Sequence, residues 1–472
     1  MDAPTVASGL EPGSFRDPDS RVFTTDGRVL RLLSEQGLAD WRELSASGLV
    51  DELVGEGRLV GTREVEEEAA LGEAIHGGVA GVLEHDVIPF VSYPYEWTFS
   101  MLRDAALLQL GLLRRALDQG LILKDSTPYN VQFRGAEPVF IDVGSFEKQR
   151  EGEPWAGYRQ FCMLFLNPLL LQAWKEVPFQ PWLRGSLDGI SPQELRNLLS
   201  FRDRFRRGSF THVFMHARLE GRHDDRDEDA KGELRKAGFK RELIVANVKG
   251  LERLIGRLSW APAQSTWSDY RLDTTYSGED AERKARFVRE AVESEGPSLV
   301  WDIGCNEGVH SRIAAETADY VVAMDADPLV ADRLYRTLRE EKQDKILPLT
   351  LNIVDPPPGL GWRGAERRPL SERGRPDLTL CLALIHHVSI AGNVPVAEFL
   401  DWLRATTRSV VIEFVSPEDP MAGRLLARKR PNDHPDYRAD WFERCLNERF
   451  DVVRSETLAG GRRTLHLARA RT

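Results

Sequence analysis

Residues 299–308 read LVWDIGCNEG, and this run constrains the fold more tightly than any other part of the chain. A short apolar stretch ends in Asp302, a turn carries Gly304 and Gly308, and an apolar-periodic segment follows over 310–317. The pattern predicts a buried strand that enters a tight turn and then a helix. Glycine permits positive φ in such a turn and lets the backbone approach a ligand closely. The first N–H groups of the helix are unpaired at the same place. A second strand over 320–324 ends in Asp325, where a carboxylate can accept hydrogen bonds from a ribose diol. Together these features predict a nucleoside-binding α/β domain.

The spacing narrows the nucleoside. A dinucleotide site favours G-x-G-x-x-G, with the pyrophosphate on the helix N-terminus. Here the order is Asp302, Gly304, Gly308, with a carboxylate just ahead of the first glycine. That charge repels a pyrophosphate and suits a ligand with a cationic amino-acid end, which S-adenosyl-L-methionine (SAM) has. The segment resembles the first motif of class I SAM-dependent methyltransferases.

From residue 298 onward strands and helices alternate. Strands are expected over 298–303, 320–324, 347–353, 377–383 and 409–414, with helices over 310–317, 328–341, 396–405 and 438–448. Such alternation gives a parallel sheet covered on both faces. Two last strands, 450–455 and 464–468, are joined by the turn Ala459-Gly460-Gly461, so the sheet should close with an antiparallel hairpin. This Rossmann-like α/β plan with a closing β-hairpin is the one class I methyltransferases have.

Open α/β sheets bind ligands at the carboxyl ends of their strands. Resemblance to the family then lines the methionine part of SAM with Gly304 and the adjacent backbone, and Asp302, Cys305, Asn306 and Gly308 are cofactor-binding candidates of the same turn. Asp325 falls at the ribose hydroxyls and Asp355 at the adenine amino group, and Ala326, Leu384 and Tyr276 are further cofactor-binding candidates. Asp355 has an alternative as a turn residue before Pro356-Pro357-Pro358. His386 and His387 are candidate bases, since histidine accepts protons near neutral pH. Glu413, at the end of the fifth strand, is a third candidate, as base or substrate ligand. The aromatic loop WSDYRLDTTYS (267–277), with Trp267, Tyr270 and Tyr276, is expected to lid the pocket or to seal a domain junction.

At 472 residues the chain is too long for one core, and a second domain should precede this one. A hairpin is expected over 21–32, one or two helices over 38–54, a strand over 87–92 and a helix over 100–119. Short strands should follow at 121–123, 131–133 and 139–141. A helix over 159–174 should break near Asn167-Pro168, and a connecting helix should span 243–258. The run LKDSTPYN puts Asn130 five residues after Asp125, and Asp142-Val143-Gly144 follows. This resembles the catalytic loop and metal-binding turn of kinase-like folds, where the first Asp orients a hydroxyl and the Asn and second Asp hold Mg²⁺. Leu123 departs from that pattern, and no lysine precedes Lys124, so the phosphate-anchoring cation is missing unless Arg21, Arg28 or Arg31 replaces it. A degenerate α+β kinase-like scaffold is expected, with Asn130 and Asp142 binding metal only if the domain is active.

The combination KDSTPYNVQF, FIDVGSFE, PWAGYRQFC, TWSDY, WDIGCNEG and ALIHHV resembles a bacterial family of nodulation-protein-type SAM-dependent methyltransferases. It implies methyl transfer and leaves the acceptor open; the leading reading is a methyltransferase acting on a hydroxyl or similar nucleophile of a small molecule, glycan or peptide, with the N-terminal domain as a docking scaffold. The alternatives are a bifunctional kinase–methyltransferase and a non-catalytic SAM-binding protein. The expected organisation is a disordered 1–20, a kinase-like domain over 21–220, a charged boundary and helix over 221–262, and the methyltransferase domain over 263–472. A net charge of −11 argues against a broad nucleic-acid footprint. The four scattered cysteines read as buried thiols, and no long apolar run or signal core is present, so a cytoplasmic protein without a membrane span is expected.

Overall fold

The computed structural model describes residues 9–66, 78–206, 208, 212–213, 241–262, 278–430 and 433–471. The chain divides into two compact units. Unit 1 comprises Met1–Phe133, Pro138–Ala261 and Gly359–Arg368; unit 2 comprises Arg134–Glu137, Pro262–Pro358 and Pro369–Thr472.

Unit 1 opens with strands β1 (Gly9–Leu10), β2 (Ser20–Thr25) and β3 (Arg28–Leu33), followed by helices Glu35–Ala46 and Leu49–Gly55. β4 (Thr62–Val65) and β5 (Gly81–His85) complete an antiparallel sheet of order β1-β2-β3-β5-β4. The β2–β3 turn is the expected hairpin. The strand expected over 87–92 is absent; the strand of this region is β5, which ends at His85. Pro89 lacks a ladder donor and restrains its neighbour, so 87–92 is poorly suited to a sheet. Gln132 meets the backbone there instead, accepting from Ser92 N at 2.9 Å and donating to Ser92 O at 3.0 Å.

Helix Phe99–Asp118 starts at Thr98, whose hydroxyl accepts from Met101 N, and buries an apolar stripe including Leu102, Leu110 and Leu113. Each such side chain contributes about 1.5–3 kcal/mol on burial. β6 (Leu121–Leu123) pairs with β9 (Phe146–Lys148), and β7 (Val131–Arg134) with β8 (Glu137–Phe140). The helix expected to break near Pro168 keeps a helical course. A π-helical stretch, Cys162–Leu166, runs directly into helix Asn167–Lys175, so Pro168 follows a π-bulge inside one helical course.

Unit 2 begins its sheet after helix Gly278–Glu295. The strands are β10 (Leu299–Ile303), β11 (Tyr320–Asp325), β12 (Ile346–Thr350), β13 (Leu378–Cys381), β14 (Ser409–Val415), β15 (Phe450–Thr457) and β16 (Arg463–Ala470). Their spatial order is β12-β11-β10-β13-β14-β16-β15, parallel except for β16, which runs antiparallel to both neighbours. β10 and β14 are buried at every residue, as strands covered on both faces must be. Pro348 is tolerated because β12 is an edge strand. From β10 the chain winds outward through β11 to β12, then returns to place β13 on the other side of β10. The strand order therefore reverses between β10 and β13, the place where open α/β sheets bind ligands in a crevice at the carboxyl ends of their strands.

Candidate functional site

The reversal point brings together the turn after β10 and the turn after β13. Gly304 has φ +76, and a Cβ there would stand 3.2 Å from Leu384 Cδ1, so the two turns pack backbone against side chain. Gly304 N and Cys305 N both donate to Met324 O, at 2.8 and 3.0 Å, which ties the first turn to the end of β11. Asp325 completes the tie. Its Oδ2 accepts from Asn306 N and its Oδ1 from Asp327 N, each at 2.9 Å. Asp302 is buried and accepts from Ser311 Oγ at 2.6 Å, from the helix Val309–Ala315 that Gly308 initiates. Burial pushes both carboxyls up, to about 6; Ser311 and Lys284 oppose this at Asp302, and the backbone N–H groups of Asp327 and Asn306 oppose it at Asp325.

The other expected residues fall as follows. Cys305 is buried, with its thiol raised well above the ordinary range by burial and the nearby Asp325 and Asp302. Ala326 is exposed beside Asp325. Asp327 is buried and caps helix Pro328–Glu340 through Leu329 N at 2.9 Å. Asp355 is exposed in a turn five residues beyond the end of β12, its N–H donating to Asn352 O. Trp267, Tyr270 and Tyr276 lie outside the described residues.

His386 is fully buried with neither ring nitrogen hydrogen-bonded, and its ring centroid is 4.0 Å from that of His387, which is half-buried. Burial, reinforced at His386 by His387 and at both by Arg463, lowers their basicity: His386 falls well below the ordinary histidine range and His387 to about 4. Both imidazoles are neutral at pH 7. Glu413 is fully buried. Its Oε2 accepts from Lys284 Nζ at 2.7 Å and from Ala383 N at 2.8 Å, while Oε1 lies 3.5 Å from Arg463. A carboxylate with these partners is a structural acceptor rather than an open base.

Lys284 and Arg463 were not anticipated from the sequence. Lys284 lies on the buried stripe of helix Gly278–Glu295, in step with Asp280, Phe287, Val288 and Ala291. A cation at a core position of a 3.6-residue period was the available signal, because an ammonium is buried only when paired. His310 stands in the first turn after Gly308, where the sequence pattern signals only a helix. Burial lowers it to about 3, with Lys284 adding to the effect and Glu413 opposing it.

In unit 1, the Asp125–Asn130–Asp142 constellation has a definite wiring. Asp142 accepts from Ser145 Oγ at 2.6 Å, and Asn130 Nδ2 donates to the same hydroxyl at 3.0 Å. Of the three candidate arginines, Arg28 pairs with Glu84, whereas Arg31 reaches Asp142 at 2.8 Å. Arg31 also donates to Ser20 Oγ at 2.7 Å, His85 Nε2 at 3.1 Å and Ile141 O at 3.3 Å. Burial, with help from Arg31, brings His85 to about 3, which leaves it neutral and able to accept. Burial works against the Asp142 anion, but Arg31 and Ser145 outweigh it and hold the carboxyl below its ordinary value. Among the described residues no group of three or more His, Cys, Asp or Glu is placed to hold a metal ion.

No family model matches the chain. Nodulation protein NoeA of Rhizobium meliloti (strain 1021) is 35% identical over 478 residues, covering 98% of each chain. The chain belongs to the NoeA family. An uncharacterized protein of Methanothermobacter thermautotrophicus is 43% identical over 61 residues, 12% of this chain and 24% of its own. Among solved structures, N-methyltransferase NodS from Bradyrhizobium japonicum WM9 aligns with a TM-score of 0.31 at 13% identity, over 42% of this chain and 99% of NodS. Magnesium protoporphyrin IX methyltransferase from Synechocystis PCC 6803 aligns with a TM-score of 0.30 at 16% identity, over 47% of this chain and 94% of that one. The fold of unit 2 rests on its own strand order. Five parallel strands, reversed between β10 and β13 and closed by an antiparallel hairpin with β16 inside β15, make the class I SAM-dependent methyltransferase fold. All four cysteines are buried and free, and no described helix is long and apolar enough to cross a membrane.

Proposed function

We propose that this NoeA-family chain binds SAM at the β10–β13 crevice and transfers its methyl group to a hydroxyl or similar nucleophile of a small molecule, glycan or peptide. The observation that carries this is Asp325. It stands at the end of β11, two elements after the glycine turn, with its carboxylate tied to that turn through Asn306 N. This carboxylate would take the ribose hydroxyls, the Gly304 turn and Asp302 the amino-acid end, and Leu384 the wall opposite Gly304. SAM supplies an already activated methyl on a sulfonium. The protein's task is then mainly to align the acceptor and exclude water. The low basicity of His386 and His387 fits alignment better than strong proton abstraction, and the half-buried His387 is the more accessible of the two.

The proposal extends to unit 1 as a kinase-like scaffold that docks the acceptor and does not transfer phosphate. Its support is the Arg31–Asp142 pair, in which the carboxylate that would hold a metal is already neutralised by a buried guanidinium.

Calorimetry on the full chain tests the cofactor reading. SAM and S-adenosylhomocysteine should bind with micromolar affinity, and Asp325→Ala should weaken binding by about 1.5–3 kcal/mol, the scale of a charge-assisted hydrogen bond. A folded protein with no saturable heat for either ligand would sink the proposal.

A further inference from the structure

Ala383, between β13 and Leu384, has φ +50, a conformation an L side chain adopts only when its surroundings enforce it. Its N–H donates to Glu413 Oε2 at 2.8 Å. Glu413 is itself held from the other side. Lys284 Nζ donates to the same oxygen at 2.7 Å, and Arg463 lies 3.5 Å from Oε1. Arg463 is fixed in turn by Asp419, at 2.8 Å through Nε and 3.2 Å through Nη2. The chain Lys284–Glu413–Arg463–Asp419 carries balanced charge, and all four residues are buried. Buried ion pairs add little stability over an apolar replacement, so this one calls for another reason. The residue after Ala383 is Leu384, the side chain that packs on Gly304.

We infer that Glu413, oriented by Lys284 and Arg463, is a positioning residue that holds the Ala383–Leu384 turn against the Gly304 turn and so sets the shape of the cofactor crevice. This rests on the reading of that crevice as the SAM site. Glu413 acts through a backbone N–H and needs no proton transfer; Lys284 and Arg463 fix which way its oxygens face. Without the acceptor, Ala383 relaxes toward negative φ and Leu384 turns away from Gly304. The drive to relax is absent if residue 383 is glycine, for which positive φ carries no side-chain penalty.

The test is S-adenosylhomocysteine binding by calorimetry on the full chain, with circular dichroism to check folding. Glu413→Ala should weaken binding by about tenfold, the effect expected when enforced backbone strain is released. Glu413→Gln keeps an oxygen for Ala383 N–H and should recover affinity to within about threefold of wild type, as should Glu413→Ala combined with Ala383→Gly. Thermal stability should stay low in both recovered variants, because the buried cations lack their counter-charge. A purely structural role would make affinity follow stability. If Glu413→Ala does not fold, Ala383→Val serves: a β-branched side chain is expelled from positive φ, and affinity should fall while Glu413 is intact. Unchanged affinity in Glu413→Ala or Ala383→Val, or no recovery on adding Ala383→Gly, would overturn the inference with the SAM reading still standing. Wild-type protein that binds no S-adenosylhomocysteine would remove the SAM reading itself, and the inference with it.

Discussion

Asp302 and Asp325 are the residues at which the pH dependence of ligand binding should appear. Burial raises both to about 6, above the ordinary aspartate value near 4. A raised folded-state pKa means that folding takes up protons. The associated stability is fully present below about pH 4 and is lost as pH rises through about 6. A ligand that donates hydrogen bonds to these carboxylates prefers them ionised, so its affinity changes in the opposite direction. S-adenosylhomocysteine should bind at least about tenfold more tightly at pH 7 than at pH 5, with little further gain above pH 7. Calorimetry across that range measures the slope. Asp325→Asn should flatten it; an unaltered slope in that variant would assign the titration to Asp302 alone.

At the scale of elements, the β10–turn–helix unit carries its own instructions, and its weak points are local. Gly308 is the N-cap of helix Val309–Ala315 at φ +76, and a Cβ there would meet Leu334 Cδ1 at 2.7 Å. Gly296, past helix Gly278–Glu295, also has positive φ, but a Cβ there meets open space. Both glycines should therefore cost about 1–2 kcal/mol on replacement by alanine from backbone conformation, with an added steric cost only at Gly308. Denaturant unfolding should place Gly308→Ala below Gly296→Ala in stability; equal losses would mean that Leu334 yields freely. The strands of this unit were readable because fully buried parallel strands are continuous apolar runs between turn residues. The reading failed at 87–92, where Pro89 makes an apolar run unfit for a ladder, and β5 was missed because its five residues include a glutamate and a histidine.

At the scale of the whole molecule, the question is whether unit 1 contributes chemistry or only a surface. Arg31 pairs with Asp142, and the Asn130 amide N–H donates to Ser145 Oγ. Asp17 and Asp125 both sit at raised pKa because of burial, with Asp142 adding to the effect, so further negative charge is unwelcome there. Only a cation could make this surface receptive to a triphosphate. Mg²⁺-ATP should leave the melting temperature of the full chain unchanged, and Asp142→Asn should leave S-adenosylhomocysteine affinity nearly intact. Mg²⁺-dependent stabilisation by ATP, lost in Asp142→Asn, would replace the scaffold with a kinase–methyltransferase.

The class of the C-terminal fold, its glycine turn and the acidic end of its second strand were determined by sequence alone, because each depends on residues close together in the chain. Hydrophobic periodicity, a positive-φ glycine and a strand-terminal aspartate are local facts, and they imply the parallel sheet and its binding edge. The partners of buried charges are not local. Lys284 and Glu413 stand 129 residues apart, so neither position discloses the other, and only the packed sheet turns a candidate base into a backbone clamp. The pairing of Arg31 with Asp142 was likewise open until β3 delivered the guanidinium to that carboxylate. A buried charge must be paired, but which charge pairs with it is decided by the tertiary fold.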